Sequence, residues 1–200
     1  MLVGVLGIKS SGKDTTADYM CTNYNFNKLI LAQPLKDACK VLFNFSDEQL
    51  YGNLKETIDP YWKTSPRIVL QYLGTDIFRR DINKIMPNIS GNFWVDLMIS
   101  KYTEMKNKDK NVLCVVSDVR FQNEIDKIHE QGGIVIKLIR PSLSNTDMHE
   151  SEKNIETLDA DYTIINDSTK DNLYMKIDNI IDNIVQEKLC LNLDILNITV

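Results

Sequence analysis

The feature that most constrains this chain is Gly7-Ile-Lys-Ser-Ser-Gly12-Lys13, a Gly-x4-Gly-Lys pattern placed between the apolar run Leu2–Leu6 and a polar segment beginning Asp14-Thr15-Thr16. Five apolar residues suit a buried strand, and the polar segment suits the start of a helix. A loop in that context holds phosphate. Glycines at Gly7 and Gly12 let the backbone curl until several N–H groups, Ser11 among them, aim at one anion. The helix N-terminus adds partial positive charge and Lys13 reaches the outer phosphates. The residue after Lys13 departs from the pattern: Asp14 stands where Ser or Thr normally offers a hydroxyl to Mg²⁺. That ligand falls to Thr15 or to the Asp14 carboxylate, directly or through water.

Two hundred residues suit one domain with enough chain to bury most of its apolar surface. A net charge of -5 and a pI near 5.1 argue against a dedicated nucleic-acid or membrane-surface binder, which needs a basic field. One local basic pocket for a small, highly charged molecule stays compatible with that balance. Cys21, Cys39, Cys114 and Cys190 lack metal-ligand spacing and read as reduced thiols of a cytoplasmic protein. No apolar run reaches the ~18 residues of a membrane span.

Along the chain, strands are expected at 2–6, 28–32, 112–116, 134–139 and 162–165, alternating with helices. Helices are predicted from Lys13 to about Thr22, from Pro34 to about Phe43, and from Pro66 to Arg80. Others are expected over 93–106, from Phe121 to the Gly132-Gly133 stop, and from about Thr169 to Val185. Ser46-Asp-Glu-Gln49 reads as a capping box for a short helix ended by Gly52, and 53–65 as a surface loop. Apolar strands alternating with helices imply an α/β fold: a five-stranded, mainly parallel sheet covered on both faces. Residues 186–200 read as an appended tail.

Ligands of such sheets sit at the carboxyl ends of the strands, so residues just past each strand are the functional candidates. Asp118 is placed to hold a metal's water shell or orient the attacking group, and Arg120 follows it. Arginine is scarce here, at Arg67, Arg79, Arg80, Arg120 and Arg140 only. It is therefore expected where a planar fork must grip phosphate, with at least one of Arg79 and Arg80 in a surface ion pair. Arg140, ending the fourth strand, is a candidate for acting on a transferring phosphoryl group.

Taken together, Gly7-x-Lys9-x-Ser11-Gly12-Lys13-Asp14-Thr15, Pro34-Leu35-Lys36, the segment Glu48–Gly52, Ser65-Pro66-Arg67, Leu70-Gln71-x-Leu73-Gly74-Thr75-Asp76, Phe93-Trp94-Val95 and Ser117-Asp118-Val119-Arg120-Phe121-x-Asn123-Glu124 resemble the deoxynucleoside monophosphate kinases of T4-type phages and related viruses. The resemblance spans roughly residues 2 to 185. It implies a three-layer nucleoside-monophosphate-kinase fold as one domain over 1–185, with an acceptor-binding helical insertion at about 34–106 and a lid at about 141–158. It also implies transfer of the ATP γ-phosphoryl group to a deoxynucleoside monophosphate with Mg²⁺, in a homodimer. By the same resemblance Gly7, Ser11, Gly12, Lys13, Asp14 and Thr15 take ATP and its metal. Lys9, Leu35, Lys36, Trp62, Arg67, Gln71, Thr75, Arg79, Trp94, Asp118, Arg120 and Glu124 surround the acceptor. Lys13, Asp118, Arg120 and Arg140 carry the transfer. Gln71 and Thr75, four apart on one helix, can both face a base edge, and Glu124 lies one turn from Arg120, able to hold its guanidinium. His129 is expected to be structural. The competing readings are a phosphate-loop kinase of another small molecule, of the phosphomevalonate or dephospho-coenzyme A type, and a nucleotide-binding switch without kinase chemistry.

Overall fold

The computed structural model describes residues 1–89, 91–143 and 155–197. Strand β1 (Leu2–Leu6) is buried along its whole length and divides its side chains by alternation. Leu2 and Leu6 join one core, Val3 and Val5 the other. Both faces of β1 are therefore covered, as a continuous apolar strand requires. Helix α1 (Lys13–Tyr24) leaves directly from the loop after β1. The order continues with β2 (Asn27–Leu29), α2 (Gln33–Phe43), α3 (Asp47–Tyr51), a 3₁₀ turn at Asn53–Glu56, α4 (Pro66–Gln71) and α5 (Phe93–Lys108). It closes with β3 (Cys114–Val119), α6 (Gln122–Glu130), β4 (Ile134–Ile139), a 3₁₀ turn at Ile155–Thr157, β5 (Tyr162–Ile165) and α7 (Lys170–Asn197).

The five strands form one sheet in the order β2-β3-β1-β4-β5, and every neighbouring pair is parallel. One core carries Leu35, Leu70, Trp94, Tyr102 and Ile125 from the helices α2, α4, α5 and α6. The other gathers Met20 of α1 with Leu173, Ile177, Ile181 and Ile184 of α7. With β1 at the centre and its partners running to either side, the carboxyl ends of β1, β3, β4 and β5 open on one edge of the sheet.

Several boundaries differ from the sequence expectation, each for a local reason. Strand β2 stops at Leu29 because the next backbone N–H groups leave the ladder: Leu31 and Ala32 donate to the two carboxylate oxygens of Asp118, at 2.8 and 3.1 Å. Strand β3 is shifted toward the C-terminus, so Ser117 and Asp118 belong to it, because Val119 is apolar, buried and paired with Leu6. Helix α4 is followed without a break by a π-helical stretch, Tyr72–Arg80, around mid-helix Gly74, whose carbonyl accepts the Trp94 indole N–H at 2.9 Å. The capping box at Ser46 forms as expected, the Gln49 side chain accepting the Ser46 N–H at 3.0 Å. Helix α7 runs on to Asn197 instead of ending near 185, since 186–197 contains neither proline nor glycine to stop it. Most of the expected lid, 144–154 with His149, lies outside the described residues. Among the described residues no helix is long and apolar enough to cross a membrane.

Candidate active site

The loop between β1 and α1 is closed from several sides. Gly12 sits at φ +110°, a conformation costly for any residue with a side chain, and a Cβ there meets the Asn166 amide nitrogen at 2.7 Å. At Gly7 a Cβ meets the Leu138 backbone oxygen at 2.8 Å. These are the two positions where the pattern demanded glycine. Three loop carbonyls are already engaged: Ile8 O accepts from Lys13 Nζ at 2.6 Å, Ser10 O from Arg140 Nη1 at 3.2 Å, and Ser11 O from Asn166 Nδ2 at 2.8 Å. With these oxygens tied back to β4, β5 and the loop's own lysine, the loop is fixed in shape before any phosphate arrives. Asp14 is exposed, its carboxylate 3.0 Å from Lys28 Nζ, and Thr15 is half-buried in the first turn of α1. The Ser11 and Thr16 hydroxyls are buried without a hydrogen-bond partner among the described residues. Among the described residues no group of three or more His, Cys, Asp or Glu is placed to hold a metal. A site offering one or two oxygens at a helix start suits Mg²⁺, which keeps several waters and takes its remaining ligands from substrate phosphates.

Beside the loop lies a cavity of about 310 Å³, within the range of small-molecule sites. Its wall comes from separate elements: Lys9 from the loop, Leu35 and Lys36 from α2, Arg67 and Gln71 from α4, Thr75 and Arg79 from the π-helical stretch, Trp94 from α5, and Asp118, Arg120 and Glu124 from β3 and the start of α6. Every residue expected around an acceptor is therefore brought together, with one correction. Trp62 lies outside the cavity: its indole N–H donates to Phe43 O at 2.8 Å and its ring stands edge-on to Phe43 and Tyr61. It braces the 59–64 turn against the end of α2. Trp94, by contrast, is buried with its indole nitrogen tied to Gly74, so one ring face can wall the cavity.

A second correction concerns Glu124. This carboxylate is fully buried, and its guanidinium partner is Arg79, held through Nη2; Arg120 meets it through the backbone N–H at 2.7 Å, and Phe121 N–H follows at 3.2 Å. The Arg79 guanidinium also lies 4.0 Å from the Phe121 ring centroid. Burial pushes the Glu124 carboxyl above the ordinary carboxylate range, and Arg79 pulls against it. Asp118 is raised by burial too, opposed by the N–H groups of Leu31 and Ala32 and by Arg120 and Lys36. Burial lowers Lys36, whose ammonium sits 4.3 Å above the Tyr51 ring. Of the arginine pair, Arg80 makes the surface ion pair, with Asp76 at 2.9 Å.

Sequence reasoning missed Lys55, Phe121, Leu70 and Gly74 as cavity residues, along with Leu31 and Ala32. Gly74 and Phe121 fall inside quoted motifs. Lys55 falls between them, in a stretch with no periodicity to mark it.

The family model for deoxynucleotide monophosphate kinases matches this chain over residues 1–61 and 52–177. The chain belongs to that family. A protein of Acanthamoeba polyphaga mimivirus, provisionally named a deoxynucleotide monophosphate kinase, is 40% identical over 190 residues, covering 93% of this chain and 98% of its own. The deoxynucleotide monophosphate kinase of Enterobacteria phage T4 is 26% identical, covering 89% and 97%. A solved dephospho-CoA kinase from Campylobacter jejuni aligns with a TM-score of 0.48 at 18% identity, over 92% of this chain and 96% of that one. The chain is accordingly a kinase of the deoxynucleotide monophosphate type, and the reading as a switch without chemistry falls away.

Proposed function

We propose that the chain transfers the γ-phosphoryl group of ATP to the 5′-phosphate of a deoxynucleoside monophosphate. An acceptor phosphate oxygen attacks the γ-phosphorus, the bond to the β,γ-bridging oxygen breaks, and ADP leaves with a deoxynucleoside diphosphate as the product. The observation that carries this reading is the cationic cavity opening directly beside the phosphate loop, with Gln71, Thr75 and Trp94 on its wall. Lys13 and the loop N–H groups bind the donor phosphates. Lys9, Lys36 and Arg67 neutralise the acceptor's phosphate, which carries close to two negative charges. Arg120, and Arg140 from the end of β4, stabilise charge on the transferring group, and Asp118 holds the β2–α2 connection so that Lys36 faces the acceptor. Gln71 and Thr75 hydrogen-bond the base.

Mg²⁺ fits Thr15 and Asp14 at the start of α1, and when bound it supplies charge neutralisation of the donor phosphates. The homodimer implied by the resemblance and the cytoplasmic location read from the cysteines belong to the same reading, and sedimentation of the purified chain tests the former. The deciding experiment is ADP release from ATP and Mg²⁺ against a panel of deoxynucleoside and ribonucleoside monophosphates, repeated with excess EDTA. Turnover with one or more deoxynucleotides, lost with EDTA, is the expected result. Absence of ADP release with every deoxynucleoside monophosphate overturns the reading.

A further inference from the structure

The 3₁₀ turn Asn53–Glu56 sits at the mouth of the cavity and presents two successive side chains of opposite charge. The Glu56 carboxylate lies 3.9 Å from Lys9 and 3.6 Å from Arg67, bridging the phosphate loop to α4 at the rim. Lys55, one residue earlier, lines the cavity itself together with Lys9, Lys36, Arg67 and Arg120. Among the described residues its ammonium has no carboxylate within ion-pair distance. We propose that Lys55 is a direct ligand of the acceptor's 5′-phosphate, supplied by a turn that no motif of the chain marks. The proposal rests on the kinase reading above and adds to it a residue that selects and holds the monophosphate.

A half-buried ammonium ringed by two lysines and two arginines from three other elements and the phosphate loop is in the wrong place for stability, since burial and repulsion act in the same direction. Burial first, then Lys36, Arg67, Arg120 and Lys9, push this lysine down to about 8. Such a cost is retained where a ligand of opposite charge completes the site. A monophosphate dianion is that ligand: it offers three acceptor oxygens to donors converging from different directions.

The charged groups that act on Lys55 are Lys36 of α2, Arg67 of α4, Arg120 after β3 and Lys9 of the loop; Asp118 and the Arg79–Glu124 pair share the cavity wall, and Glu56 adjoins it on its own turn. A dianion arriving among them raises Lys55 back toward the ordinary lysine range, so binding near pH 8 takes up a proton.

The test is calorimetric titration with dGMP, dTMP and inorganic phosphate at pH 8, in two buffers of different ionisation enthalpy. It uses the wild type, Lys55→Gln and Lys55→Arg, with steady-state turnover measured alongside. Wild type takes up a substantial fraction of a proton per phosphate bound, and Lys55→Arg takes up far less while still binding. Lys55→Gln weakens acceptor binding about tenfold or more, with ATP affinity within twofold. Acceptor binding by Lys55→Gln within twofold of wild type, or proton uptake unchanged in Lys55→Arg, overturns the proposal while leaving the kinase reading standing. Lys55-dependent binding of inorganic phosphate by a wild type that phosphorylates no deoxynucleotide overturns the substrate reading and supports the phosphate site.

Discussion

Glu124→Gln is the substitution whose consequences the structure determines most fully. The side chain keeps its shape, and its remaining carbonyl oxygen can still accept the N–H groups of Arg120 and Phe121. The atom replaced is the one facing Arg79, so two donors now oppose each other where an ion pair stood. Breaking a buried pair from one side costs roughly 3–5 kcal/mol, because the other charge stays behind. Arg79 is 17% exposed and can turn partly toward the cavity, which places the loss at the lower end, about 3 kcal/mol. In a chain of this size about 1 kcal/mol moves the melting temperature by roughly 2–4 °C, so the variant melts roughly 6–12 °C lower.

The converse change, Arg79→Met, strands the Glu124 carboxylate at 1% exposure. Because burial raises that carboxyl in the folded state above its unfolded value, the folded state binds the extra proton. Stability of Arg79→Met therefore rises as pH falls toward the carboxylate range and declines as pH rises. The double variant removes both charges and regains at least about 2 kcal/mol of the summed cost. Urea melts followed by circular dichroism, at pH 5 and pH 7.5, measure all four corners of the cycle. Additivity within about 0.5 kcal/mol refutes the reading of Arg79 and Glu124 as a buried pair joining the Tyr72–Arg80 stretch to α6.

Lys13→Ala keeps its circular dichroism spectrum and loses turnover by roughly 10²–10³-fold or more, as expected when a donor aimed at developing charge is removed; a milder loss argues that the loop N–H groups suffice. Trp94→Ala, at a buried wall position, costs about 3–5 kcal/mol and raises the acceptor KM, whereas Trp62→Ala leaves that KM within twofold; a large KM effect at Trp62 contradicts its place outside the cavity. Lys55→Gln melts above wild type at pH 7. A lysine held near 8 in the folded state and 10.5 otherwise makes the wild type gain stability as pH rises through that window, so the advantage of the variant shrinks over the same range; an advantage constant from pH 7 to 10.5 contradicts the charge argument.

How much of this was legible in the sequence depends on whether a residue's role is set locally. The phosphate loop was legible because glycine spacing and an apolar run are sufficient to make it, and the strand-end residues because parallel sheets place ligands there. Gln71, Thr75 and Arg79 followed from the family resemblance, and the shared face that helical spacing gives Gln71 and Thr75 survives the change to π-helical hydrogen bonding, since all three line the cavity. Trp62 went the other way: an aromatic in a polar loop can be wall or brace, and a single hydrogen bond to Phe43 O decides it. Asp118 was read as a strand-end acid, but its grip on two N–H groups 86 and 87 residues distant in sequence is purely tertiary. Lys55 is ordinary in composition and position, and only the four cations around it make it unusual. Glu124 was assigned the wrong arginine because helical spacing favoured Arg120, while the fold brings Arg79 to it from the π-helical stretch after α4.

The distribution of charge explains why an acidic protein can run this chemistry. The chain carries a net charge of -5, yet the cavity is lined by six cations and two carboxylates, an excess of four positive charges. Both carboxylates are engaged, Asp118 by backbone N–H groups and Glu124 by Arg79 and backbone, so neither neutralises the cations that face the acceptor. Glu56 at the rim, 3.9 Å from Lys9 and 3.6 Å from Arg67, offsets part of that excess, and a monophosphate brings close to two further negative charges. On the proposed reading the transferring phosphoryl group adds charge from the loop side, where its equatorial oxygens carry the charge of the transition state. On the proposed reading the cavity's positive charge acts on the reacting geometry as well as on the bound acceptor, which is the condition for binding energy to lower the barrier.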